Sequence, residues 1–110
     1  MRPSRPRNSD QPVRSRFADD PAMKAIVARF AAALPERSGH LQQALLEANL
    51  EELHSLAHQL KGTAGGYGFD TISSAAADLE RDTLSLEADL AMVREHVEDI
   101  TLLCTAASRA

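Results

Sequence analysis

Ala57-His58-Gln59-Leu60-Lys61-Gly62-Thr63-Ala64-Gly65-Gly66-Tyr67-Gly68-Phe69 carries two stripes of opposite character. Leu53, Leu56, Ala57, Leu60 and Ala64 recur at three- and four-residue spacing, as on the apolar face of a helix. His54, His58, Lys61, Gly62 and Gly65 recur at the same spacing about half a turn away. A glycine inside a helix costs roughly 1 kcal/mol relative to alanine, so two of them beside an imidazole need a reason. The simplest is that they leave His58 uncrowded, open to something large. Lys61, one turn along, favours an anion on that ring.

An exposed imidazole, a nearby cation and a cleared surface suit a histidine that carries a phosphoryl group. His58-Gln59-Leu60-Lys61-Gly62, then Gly68-Phe69, resembles the H-x-[LI]-K-G-x5-G-[FL] signature of histidine-containing phosphotransfer (HPt) domains. These are the intermediate phosphocarriers of multistep phosphorelays. The resemblance covers roughly residues 20–107 in helix pattern and is specific over 57–69. It implies an all-α fold, an antiparallel four-helix bundle with an additional N-terminal helix.

It also implies roles. His58 would accept phosphate on the ring nitrogen remote from the backbone, Lys61 would neutralise phosphoryl oxygens, and Gly62 would leave room for the partner. Glu80 falls where a Gln or Glu of the following helix accompanies the histidine in this family; it reads equally well as a solvated position. His54, Gln59, Gly62 and Gly65 are the expected partner contacts. The implied partners are response-regulator receiver domains and a hybrid histidine kinase. The carrier is expected to be no enzyme in its own right and to need no cofactor, the Mg²⁺ residing in the receiver. A cytoplasmic monomer is expected.

Length and composition bound these readings. The chain has 110 residues, 44 % hydrophobic, with four Phe or Tyr and no Trp. That is one domain, rich in Ala and Leu, as close helix packing favours. The lone cysteine, Cys104, excludes an intrachain disulfide and reads as a small core residue. No apolar run approaches the roughly 20 residues that span a bilayer, and no apolar segment follows the basic N-terminus as in a secretory signal. Residues 1–18 carry a net charge of +4 and residues 19–110 a net of −8. The acidic body argues against nucleic-acid binding.

Residues 1–18, with Pro3, Pro6 and Pro12, read as a flexible basic arm ahead of a domain over 19–110. Met1 and the arm favour a free-standing carrier over a module of a larger kinase. A first helix is expected from Asp20 as N-cap and Pro21, burying Met23, Ile26, Val27, Phe30 and Leu34. Pro35 should end it and open a second helix burying Leu41, Leu45 and Ala48. Asn49 with Glu52 forms a capping-box pattern for a third, reaching about Tyr67. Gly68 suits a left-handed position, and Asp70 would cap a fourth helix burying Ile72, Ala75, Ala76, Leu79 and Thr83. After a break near Ser85, Leu86, Leu90, Val93, Val97, Ile100 and Cys104 mark the last.

Two other chemistries fare poorly. His54 and His58 are four residues apart, and Glu51 with His54 spells Glu-x-x-His, a di-iron spacing. The second copy that such a site requires is missing, so no metal is expected. Kinase activity in cis lacks both a His-Glu-x-x-x-Pro motif and glycine-rich nucleotide boxes. The rival reading is a helical adaptor that binds a receiver or kinase domain without carrying phosphate.

Overall fold

The computed structural model describes residues 13–84 and 89–109. Their secondary structure is four helices: α1 (Lys24–Leu46), α2 (Leu50–Gly66), α3 (Asp70–Thr83) and α4 (Leu90–Arg109). They close a ring in which α1 touches α2 and α4, and α3 touches α2 and α4, without diagonal contacts. Contacts of His54 with Thr83, His58 with Glu80 and Gly65 with Ser73 run α2 and α3 antiparallel. The all-α bundle expected from periodicity is therefore the observed architecture.

The additional N-terminal helix is not seen. The two segments expected on either side of Pro35 are one helix, with Pro35 inside it. An interior proline removes one hydrogen bond and costs about 3 kcal/mol or more. Against that stands an unbroken inward stripe: Val27, Phe30, Ala31, Leu34, Ser38, Leu41 and Ala44 are all buried. Burying Leu34 and Leu41 alone contributes about 1.5–3 kcal/mol each, so packing outweighs the break. Pro35 itself lies on the exposed face, and the Ser38 hydroxyl donates to its carbonyl at 2.9 Å.

The helix ends differ in detail from their sequence signals. Asp20 opens a turn rather than capping a helix: its Oδ1 accepts from the Ala22 N–H, and its carbonyl accepts from Met23 and Lys24. α1 closes in a Schellman motif, Asn49 N–H to Ala44 O and Ala48 N–H to Leu45 O. That places Ala48 at φ 53° and outside the core. Asn49 caps α2 through the Glu52 N–H, 3.0 Å. A second Schellman motif ends α2 with Gly68 at φ 83°. Asp70 is the first residue of α3 rather than its cap, and it pairs with Arg16, Nε to Oδ2, at 2.7 Å.

Residues 13–18 lie against the α2–α3 turn. Arg16 N–H donates to Gly68 O at 2.9 Å, the Ser15 hydroxyl donates to Tyr67 O, and Val13 is buried. Phe30 stacks on Tyr67, centroids 4.5 Å apart, and packs near Phe69, which ties this turn to α1. Within α4, Val93, Val97, Ile100 and Cys104 face the core, and Leu90 is half exposed. Burial pushes the Cys104 thiol up to about 12, which leaves it an inert packing residue. Residues 1–12 of the expected arm, and Ser85 and Leu86 of the expected break and last stripe, lie outside the described residues.

Candidate functional site

α2 buries Leu53, Ala57, Leu60 and Ala64, which turns His58 outward along its seam with α3. α3 buries Ile72, Ala75, Ala76 and Leu79, and this register brings Glu80 to the same seam. The carboxylate of Glu80 then spans two partners. Its Oε2 lies 2.7 Å from His58 Nδ1 and its Oε1 2.6 Å from Lys61 Nζ. Glu80 is largely covered, with 15 % of its side chain accessible, whereas His58 keeps 65 %.

Lys61 above all, and His58 after it, hold the Glu80 carboxyl below its ordinary value of 4.5. Glu80 is thus ionised at neutral pH and can only accept a hydrogen bond. His58 Nδ1 must therefore carry the ring proton, and the lone pair of the neutral imidazole resides on Nε2. One carboxylate fixes the tautomer, orients the ring and anchors the neighbouring cation. Such a site offers a nucleophilic nitrogen on a rigid surface.

Two hydroxyls brace this seam: Ser73, which the sequence did not single out, and Thr83, expected in the core but only partly covered. Ser73 donates to Lys61 O at 2.8 Å, and Thr83 donates to Glu80 O at 2.9 Å. His54 Nδ1 lies 3.1 Å from Thr83 Oγ1 and 3.3 Å from Glu80 O. A carbonyl accepts only, so His54 turns its Nδ1–H inward to α3. The available signal was spacing alone: Ser73, Glu80 and Thr83 fall at the three- and four-residue intervals of one α3 face.

The two glycines beside His58 differ. A Cβ at Gly62 would meet nothing within 4 Å, and the position is exposed. A Cβ at Gly65 would come within 3.2 Å of Ser73 Oγ, so the missing side chain there serves the approach of α3. Gln59 lies exposed beside Gly62. The expected residues His54, His58, Gln59, Lys61, Gly62 and Gly65 thus share one stretch of α2, and Glu80 joins them from α3. No group of His, Cys, Asp and Glu among the described residues could hold a metal ion. Nor is any described helix long and apolar enough to cross a membrane.

Comparison with curated proteins and with solved structures returned no match. A family model does match: the Hpt domain, over residues 25–110, from the first turn of α1 to the end of the chain. That span includes every helix of the bundle and the whole His58–Glu80–Lys61 cluster, and on it the chain belongs to the Hpt domain family, the histidine phosphocarriers of phosphorelays.

Proposed function

We propose that His58 is the phosphoacceptor, shuttling a phosphoryl group between aspartates of receiver domains. The observation that carries this reading is the 2.7 Å contact of Glu80 with Nδ1, which leaves Nε2 as the free nucleophile on a half-open surface. The Nε2 lone pair attacks phosphorus as the bond from phosphorus to the aspartyl oxygen breaks. A new N–P bond forms, the carboxylate leaves, and the ring becomes a cation whose Nδ1–H faces Glu80. In the return step the acceptor aspartate attacks phosphorus and His58 departs as neutral imidazole.

This chemistry asks for positioning and charge compensation more than for further catalytic groups. Lys61, on the same carboxylate, stands one helical turn from His58, where it can turn to the phosphoryl oxygens. The receiver supplies its own carboxylates and Mg²⁺. Gly62 and Gln59 form the ground on which it sits, with His54 and Gly65 at the margins. An upstream hybrid histidine kinase and downstream regulator complete the relay, in the cytoplasm.

The test is incubation with a phosphorylated receiver, followed by assay for acid-labile, base-stable phosphate. His58→Gln should remain helical and take up none. Label retained on His54 or His96 in that variant would sink the assignment.

A further inference from the structure

We propose that the outer ridge of α4 is a self-complementary surface on which a second copy of this chain packs antiparallel. Leu90, Arg94, Glu98 and Leu102 follow one another at four-residue intervals, and all four are exposed. Read about a two-fold axis at position 96, the ridge pairs with itself. Leu90 meets the other copy's Leu102, and Arg94 meets its Glu98, each contact occurring twice. Two i+4 ridges lie parallel when their helices cross at about −50°, the commonest helix-packing class. A two-fold interface needs this property, in which each surface is its own complement.

Three further features favour this occupant. Leu90 and Leu102 are 50 % and 47 % accessible, and Leu46, on the adjoining end of α1, is 81 % accessible. An apolar groove of about 560 Å³ runs between α1 and α4, walled by Leu45, Leu46, Val97 and Leu102. With the axis at 96, the other copy's Leu90 is the side chain that faces it. Finally, neither Arg94 nor Glu98 has an ion-pair partner among the described residues. Their charges are therefore available to set the register, which is the usual contribution of rim charges. α4 lies diagonal to α2 in the ring, so pairing through α4 leaves both copies of His58 accessible. The inference does not rest on the role proposed for His58.

Sedimentation equilibrium of the full chain from about 10 µM to 1 mM covers the range of a small, transient interface. The mean mass is expected to rise from 11.9 kDa toward twice that value. Arg94→Glu places Glu opposite Glu twice over, and Glu98→Arg places Arg opposite Arg; each should weaken the dimer by roughly tenfold or more. The double variant restores opposite charges and should recover the wild-type constant to within about threefold. Leu102→Asp should leave a folded monomer by circular dichroism. Phosphate uptake at His58 should be the same in all four variants, so failure of the dimer and failure of the carrier role are told apart. A wild-type chain that stays at 11.9 kDa throughout would overturn the proposal. So would a dimer that is indifferent to the single reversals, or one that the double variant fails to restore.

Discussion

If Gly62 clears a docking surface, as proposed, substitutions there should set stability against transfer, and the two can be separated. It sits in the interior of α2, exposed, with open space where its Cβ would be. Gly62→Ala should therefore recover most of the glycine penalty, about 1 kcal/mol. In a domain of this size that corresponds to a rise in melting temperature of about 4–8 °C. Gly62→Leu has nearly the same propensity gain. Its side chain, however, projects from one turn beyond His58 back toward the ring, because helical side chains lean to the N-terminus.

The loss should depend on the size of the phosphodonor. With a phosphorylated receiver, Gly62→Leu should slow uptake by about tenfold or more, equivalent to about 1.4 kcal/mol of barrier. With acetyl phosphate, which needs no docking surface, the loss should be small. Gly66→Ala is the control, since its Cβ is equally unobstructed but lies two turns from His58. Circular dichroism melts and quenched-flow labelling measure the two sides. If Gly62→Leu unfolds the domain, or leaves receiver-driven transfer intact, the idea that Gly62 clears a docking surface is wrong.

Lys61→Ala removes the main partner of Glu80 and should slow phosphotransfer more than it weakens receiver binding; equal losses in kinetics and titration would make Lys61 a docking contact instead. Glu80 contributes a pH-dependent share of stability. Its folded pKa is lowered from 4.5, so that share is complete above the ordinary value and is lost as pH falls through the folded one. Urea midpoints taken from about pH 7 to 3 should therefore fall more steeply in wild type than in Glu80→Gln, and parallel curves would remove the carboxylate from the ledger. Ala48 holds φ 53° at the end of α1, a conformation that suits glycine, so Ala48→Gly should stabilise the fold by about 0.5–1 kcal/mol, seen as a higher urea midpoint at unchanged slope.

The sequence carried the site further than it carried the helix boundaries. Periodicity is a local signal repeated over many residues, so the inward faces of α2, α3 and α4 were legible from Leu53, Leu79 and Val97 and their neighbours. Pro35 points to a break because its cost is local and visible; the burial of Leu34 and Leu41 is readable on either side of it, but that one continuous helix carries both depends on helices that meet α1 only in the folded chain. The three- and four-residue spacing likewise points Ala48 to the core; the Schellman turn that expels it is selected by where α2 must start. At the site, His58 and Lys61 were readable from one helix. Glu80 is reached only through the family resemblance, because spacing within α2 says nothing about the register of α3; that its carboxylate bridges His58 and Lys61 comes from the folded geometry.

Gly68 shows how far one residue can be read from sequence. Its place after a helix predicts a left-handed backbone, and φ 83° agrees. That alone would allow asparagine as a fair substitute. The structure adds a second demand from more than fifty residues away: a Cβ there would lie 2.6 Å from Ser15 Oγ, 2.9 Å from the Phe17 ring and 3.0 Å from Arg16 N. The obstacle includes backbone that is itself held, since Arg16 N–H donates to the carbonyl of Gly68. Ser15 is fixed too, donating to Tyr67 O while accepting from Phe17 N–H at 2.9 Å. No side chain can be accommodated by a small shift there. The glycine therefore answers to both the turn and the crossing segment, and through Arg16 and Asp70 that segment also reaches the first turn of α3. The residues just ahead of α1 are thus tied to the same helix that, some ten residues later, delivers Glu80 to His58.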